Sequence, residues 1–186
     1  KVTESDGYNN PFAEEITGKK LVTIETYGKY LLLDFKDFLI TVHFGLFGSF
    51  LINESKKVNP SFSVYFGEEF INFYVVKIKK LEKDHLFDQE LNVFSKNYDA
   101  EKTRKLLLEK YANKKIGDIL LNQDVFPGLG NIIRNEVLFL SKIHPESTVD
   151  KIPSKKITEL LKKIKEFSQA SVELIEQKTW KSSSSV

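Results

Sequence analysis

The sequence predicts an α+β protein whose strands come first and whose helices come second. Three observations carry this. Residues 20 to about 80 are rich in β-branched and aromatic residues, turn signals interrupt that stretch at short intervals, and after Asn97 the apolar spacing becomes helical.

Leu21-Val22-Thr23-Ile24 reads as a first short strand. Tyr30 to Phe35 is a nearly continuous apolar run, the pattern of a buried strand. Phe38 to Phe44 alternates, with Ile40, Val42 and Phe44 on one face and Leu39, Thr41 and His43 on the other. Ser49 to Asn53, Ser61 to Phe66 and Phe70 to Val76 complete the set. Turns are marked at Tyr27-Gly28, Lys36-Asp37, Asn59-Pro60 and Gly67-Glu68. Many short strands at near-regular spacing point to a β-sandwich or a barrel.

Asp99 is a good N-cap for a helix from Ala100 to about Tyr111. Ile116 to Gln123 fits a second helix, broken by Phe126-Pro127-Gly128-Leu129-Gly130. Asn131 to Ser141 is a third. Ser154 to about Gln177 is a long amphipathic helix with Ile157, Leu160, Leu161, Ile164, Phe167 and Val172 near helical spacing and lysines on its solvated face. The expected organisation is a strand-rich domain over 1–95, a helical domain over 96–181 and a flexible tail over 182–186.

Composition excludes several function classes. The 186 residues contain no cysteine, which rules out a disulfide framework, a thiol nucleophile and cysteine-ligated zinc in this chain. A net charge of +2 and a pI of about 8.5 are too mild to identify a nucleic-acid binder on their own. No apolar run is long enough to span a membrane, and the N-terminal ten residues are too polar for a signal peptide. The expectation is a soluble intracellular protein, in cytoplasm, nucleoid or nucleus. The chain opens on Lys1-Val2-Thr3-Glu4 without a methionine and closes on a serine run, so both ends read as trimmed.

The chemistry concentrates in Leu120 to Phe139. A Pro-Gly-Leu-Gly turn joins two helices and leaves Asn131 at the start of the second. N–H groups at a helix start are unpaired and attract anions, and an amide beside them can add a hydrogen bond to a phosphate. The same residues also read as a plain helical turn with an Asn cap.

This segment resembles the helix–two-turn–helix (H2TH) motif of the formamidopyrimidine-DNA glycosylase / endonuclease VIII family. That pattern runs Leu-Leu-x-Gln, Gly-x-Gly-Asn-Ile, Glu-x-Leu-Phe and Ile-His-Pro. Here the matching residues are Leu120, Leu121, Gln123, Gly128, Gly130, Asn131, Ile132, Glu136, Leu138, Phe139, Ile143, His144 and Pro145. Tyr27-Gly28-Lys29 followed by a buried strand resembles the family's Gly-Lys turn, and His43-Phe44-Gly45-Leu46-Phe47-Gly48-Ser49 resembles its His-x-Gly-Met-x-Gly-Ser segment. The matches keep the family's order from about Thr17 to Gln177.

The resemblance implies a β-sandwich followed by an H2TH domain. It implies that Lys29, His43 and Asn131 hold phosphates around a damaged nucleotide, with Gly128 and Gly130 forming the turn. Singly, Lys29 reads as an exposed turn lysine, and His43 as a satisfied histidine on an edge strand. Leu46 or its neighbour Phe47 falls where the family places a wedge that fills the gap left by a flipped nucleotide; otherwise Leu46 is a turn leucine packed on the sheet. Glu136 is expected to tie the motif together and not to act as acid or base. The family's later Arg- and Phe-bearing loop has no good match between Phe73 and Lys80, which leans toward oxidised pyrimidines as substrates.

The implied activity is that of a base-excision-repair DNA glycosylase with abasic-site lyase activity (β/δ-elimination), acting as a monomer on damaged duplex or single-stranded DNA. The alternative is a catalytically inactive or truncated module that binds through the H2TH clamp. Ribosomal RNA-binding proteins share the two-turn motif, but the Gly-Lys and His-x-Gly matches argue against that class. In the family the nucleophile is an N-terminal amine, usually a proline's, followed by a glutamate. This sequence has Lys1-Val2, and aligning Gly18-Lys19-Lys20-Leu21 with the family implies a nucleophile-bearing first helix missing before Lys1, so the catalytic residues are unknown; a paralogue without catalysis ranks next, and the α-amine of Lys1 or the side chain of Lys29 last. The family's zinc finger of four cysteines, or its zincless substitute, has no counterpart after Trp180, so no metal or other cofactor is expected in this chain.

Overall fold

A computed structural model describes residues 1–82 and 87–183. The chain divides into two compact units, Lys1–Phe87 and Asp88–Val186. The division falls ahead of the expected boundary after residue 95. Residues 88–98 form turns whose Val93 and Tyr98 are buried in the helical core, so this segment belongs to the second unit.

The first unit contains two antiparallel four-stranded sheets. One has the order β1-β6-β7-β5, from strands β1 (Glu4–Asp6), β5 (Ser49–Ile52), β6 (Phe62–Phe66) and β7 (Glu69–Tyr74). The other has the order β2-β3-β4-β8, from β2 (Thr23–Tyr27), β3 (Tyr30–Asp34), β4 (Phe38–His43) and β8 (Lys77–Glu82). A single-turn helix, α1 (Ala13–Ile16), precedes β2. Leu33, Ile40 and Val42 of one sheet share a core with Phe62, Val64 and Phe73 of the other. The Phe62 and Phe73 rings stack with centroids 5.3 Å apart.

Two strands and the short helix are not evident in the sequence. β1 and β8 are edge strands with the sequences Glu-Ser-Asp and Lys-Ile-Lys-Lys-Leu-Glu. Charged or very short edge strands discourage pairing with other chains, and that same composition hides them from a search for β-branched and aromatic runs. Because β8 covers it, β4 is an interior strand and not an edge. Leu39 and Thr41, expected on a polar face, are therefore buried like Ile40 and Val42.

In the second unit, α2 (Ala100–Lys110) is capped by Asp99, whose side chain accepts from the N–H groups of Glu101 at 2.8 Å and Lys102 at 3.0 Å. α3 (Ile116–Ile119) is shorter than expected, because the chain turns at Asn122, whose Oδ1 accepts from Asp124 N–H. The N-terminus of α3 packs against the Ile143-His144-Pro145 segment. A Cβ on Gly117 would lie 2.9 Å from both the Cβ and the carbonyl oxygen of Pro145, so only glycine permits that approach. α4 (Asn131–Ser141) has the expected bounds and ends at Lys142 in the left-handed conformation. α5 (Ser154–Ser183) runs past Gln177, since no proline or glycine follows to stop it. Of the expected tail, 184–186 lie outside the described residues. Leu107, Leu120, Phe126, Leu129, Val137, Ile157, Leu160 and Ile164 form a buried apolar core in this unit.

The C-terminus of α4 is capped from α5. Lys156 Nζ donates to the Ser141 carbonyl at 3.0 Å, and Lys163 Nζ donates to that of Leu140. Both ammonium groups also bond to Glu159, and these contacts, that to Lys163 first, hold its carboxyl at a pKa of about 2. Two of the lysines assigned to a solvated face are thus helix caps. Among the described residues no helix is long and apolar enough to cross a membrane.

Candidate nucleic-acid interface

Lys29 and His43 lie at the same end of one sheet. Tyr27 pairs with Tyr30 across the two-residue turn that carries Gly28 and Lys29, and Tyr30 pairs with His43 on β4. The Tyr30 and His43 rings lie 5.3 Å apart. Gly45 N–H donates to His43 Nδ1 at 3.2 Å. A neutral ring in that arrangement carries its proton on Nε2, which can donate to an anion. Lys29 is exposed, but its side chain borders an apolar groove of about 480 Å³ walled by Ile24, Leu31, Phe44, Phe50 and Phe73. Desolvation there pushes its ammonium below the ordinary lysine pKa.

Directly after His43 the chain crosses from one sheet to the other through a tight loop. Gly48 N–H donates to the Phe44 carbonyl at 2.7 Å, and a Cβ on Gly48 would sit 2.2 Å from that same oxygen. Only glycine permits this closure, and it pushes the residues between outward. Leu46 is 92% exposed and Phe47 81% exposed. Leu46 is therefore not a turn leucine packed on the sheet. The return crossing is short: β7 ends at Tyr74 and β8 begins at Lys77, with only Val75 and Val76 between. Val75 is exposed at φ 55, a strained conformation for a β-branched residue.

In the second unit the two-turn segment is organised by Gln123. Its Nε2 donates to the carbonyls of Leu121 at 2.9 Å and Leu129 at 3.1 Å, and its Oε1 accepts from Gly128 N–H at 3.0 Å. One side chain thus satisfies three backbone groups of the turn. The role expected of Glu136 is filled here by Gln123. Glu136 is exposed and makes no hydrogen bond or ion pair among the described residues. Gln123 stands in a polar run, Asn122-Gln123-Asp124, so only its place in the Leu-Leu-x-Gln pattern singles it out.

Gly128 takes a φ of 91, and Gly130 is the N-cap of α4 in extended conformation. Asn131 is then the first helical residue and not the cap. Its side chain is exposed and bonds to no described group, so both the amide and the adjacent helix N–H groups face solvent. The structure thus brings Lys29, His43, Leu46 and Phe47 together within the first unit and sets Asn131 at the helix start in the second.

Residues 91–183 match the formamidopyrimidine-DNA glycosylase H2TH domain, and residues 2–75 match the formamidopyrimidine-DNA glycosylase N-terminal domain. The chain belongs to the formamidopyrimidine-DNA glycosylase / endonuclease VIII family. It is 34% identical over 155 residues to endonuclease 8-like 3 of Bos taurus, a match covering 78% of this chain and 25% of that protein. It is also 34% identical over 150 residues to formamidopyrimidine-DNA glycosylase of Bacillus cereus, covering 73% of this chain and 53% of that protein. The chain therefore spans between a quarter and about half of the length of these relatives.

The fold is shared with solved family structures. The Lactococcus lactis formamidopyrimidine-DNA glycosylase bound noncovalently to DNA containing an abasic site superposes with a TM-score of 0.76 at 23% identity, over 94% of this chain and 75% of that one. A viral DNA glycosylase gives 0.79 at 18% identity, over 92% and 75%. The four-cysteine zinc set of the family does not fit the residues present. The chain has no cysteine, and among the described residues no group of three or more His, Cys, Asp or Glu could hold a metal ion.

Proposed function

We propose that this chain is the lesion-recognising part of a base-excision-repair DNA glycosylase with abasic-site lyase activity, acting on oxidised bases and favouring oxidised pyrimidines. The observation that carries the reading is the grouping in the first unit. Two phosphate donors, Lys29 and His43, stand at one end of a sheet beside the outward loop that bears Leu46 and Phe47. Asn131 and the free N–H groups of α4 supply a further phosphate site in the second unit.

Each part answers a physical need of the reaction. A base inside a duplex is out of reach, so its nucleotide must be flipped, at a cost of a few kcal/mol. Donors on the flanking phosphates hold the backbone in the flipped geometry. An exposed apolar side chain entering the stack offsets part of the unstacking cost. Leu46 and Phe47, the most exposed apolar side chains among the described residues of the first unit, are the groups offered for that task. In the proposed chemistry an amine attacks the sugar C1′, the glycosidic bond breaks with its electrons leaving on the base, and the base takes up a proton. The C1′–O4′ bond then opens, O4′ taking up a proton and the nitrogen losing one, to give an imine; loss of a C2′ proton from it expels the 3′ phosphate, and a second elimination expels the 5′ phosphate. The protein acts as a monomer on damaged duplex or single-stranded DNA.

The lyase step has a direct test. Borohydride reduction of the protein mixed with DNA containing an abasic site is expected to trap a covalent adduct, and peptide mapping then names the amine. Binding of the abasic site with no adduct at any pH would mean that the chain has no lyase activity.

A further inference from the structure

The Glu-x-Leu-Phe and Ile-His-Pro elements end in residues that have no part in the proposed glycosylase chemistry. Phe139 is 78% exposed, although the same helix buries Val137 and Leu138. It borders a shallow groove of about 670 Å³ with Asp118, Arg134, Asn135, Lys142 and His144. A lone exposed leucine needs no explanation, but a phenylalanine standing out among cations and amides does.

We infer that this groove seats one nucleotide of a single strand, with its base stacked on Phe139. The chemistry of the walls selects this occupant. Arg134 is steadied by Asn135 Oδ1, which accepts from its Nε at 3.1 Å and from its Nη2 at 3.0 Å, and so leaves the Asn135 NH₂ free to donate. His144 Nδ1 accepts from Glu146 N–H at 3.2 Å, which leaves Nε2 as an outward donor in the neutral ring. Glu146 is neutralised by its ion pair with Lys115. With Glu146 paired to Lys115, the groove sets Arg134 and Lys142 against the remaining carboxylate of Asp118, a net positive balance that suits a phosphate. Asp118 can accept from an exocyclic amine, and Asn135 can donate to a base carbonyl or ring nitrogen. A stacking face between cations, with adaptable polar edges, is how single strands are held without strict sequence preference.

The groove also continues the proposed phosphate site. Asn131, Asn135 and Phe139 follow one another at helical spacing on one face of α4, and Lys142 is the cap at its C-terminus. Asn131 and Phe139 are eight residues apart, about 12 Å along the helix. The choice of nucleic acid as occupant rests partly on the proposed glycosylase function, so the test separates the two.

The test is fluorescence anisotropy with a single-stranded oligothymidine and, in parallel, an abasic-site duplex. Phe139→Ala is expected to weaken binding of the single strand by about ten-fold, Phe139→Trp to preserve it, and neither to change affinity for the abasic duplex. Because Phe139 is largely exposed, neither change should disturb the core. Unchanged single-strand affinity in Phe139→Ala would overturn the inference. So would an equal loss on both ligands, or a loss of self-association in sedimentation with single-strand binding intact, which would make the face a contact between copies. If Lys29→Ala leaves abasic binding untouched while Phe139→Ala still weakens the single strand, the clamp fails and the groove stands.

Discussion

Replacing Lys29 and Asn131 together by alanine is expected to lower affinity for an abasic-site duplex on the order of a hundred-fold at low salt, each lost charge-assisted contact contributing about ten-fold. The salt dependence is the sharper readout. Each phosphate neutralised releases counterions, and the slope of log K against log salt falls by about 0.9 per lost ionic contact on duplex DNA. Lys29 is the charged member, so Lys29→Ala should flatten the slope by about 0.9. Asn131→Ala should weaken binding with little change in slope, because a neutral amide displaces no counterion. Neither side chain makes a hydrogen bond to another described residue, so both losses should be free of folding effects. A Lys29→Ala protein with an unchanged slope would mean that its ammonium contacts no phosphate.

Phe126→Ala is expected to cost about 3–5 kcal/mol, the range found when a buried aromatic ring is truncated in a close-packed core. Phe126 is fully buried among Leu120, Leu129 and Val137, at the turn that presents Gly128 and Gly130. Its removal leaves a cavity in the core of the second unit, whose residues are separate from those that fill the sandwich. The melting midpoint of the second unit should fall by more than about 10 °C, while amides of β3 and β4 keep their protection in hydrogen exchange. A loss below about 1 kcal/mol would show that the two-turn segment is not held by this core, and an equal loss of protection in both units would show that they unfold as one.

The parts of this fold that the sequence reveals are those where burial dictates composition. β3 and β4 are apolar because both lie inside a sheet, and the start of α4 is legible because the Pro-Gly-Leu-Gly turn ends at Gly130. β1 and β8 are hidden because edge strands are selected for charge or brevity. The domain boundary is displaced because Val93 and Tyr98 sit in turns, where periodicity gives no signal, and yet fill the helical core.

The candidate site divides along similar lines. Lys29 and His43 are separated by fourteen positions, and only the pairing of β3 with β4 sets them at one end of the sheet. Their residue types give no hint of it without the motif. Gln123 and Glu136 show the limit of reading roles from a motif. Both belong to the same pattern, but which one ties the turn depends on the direction each side chain takes, and that is fixed only once α3 stops at Ile119 and α4 begins at Asn131.

The measurement that bears most directly on the central claim is a competition between an abasic-site duplex and the same duplex intact for binding to this chain at physiological salt. A protein whose two phosphate donors and exposed Leu46–Phe47 loop serve a flipped nucleotide should prefer the abasic duplex by about ten-fold or more, since there no base pair has to be broken. Equal affinity for the two would contradict the account and leave a general phosphate binder in its place.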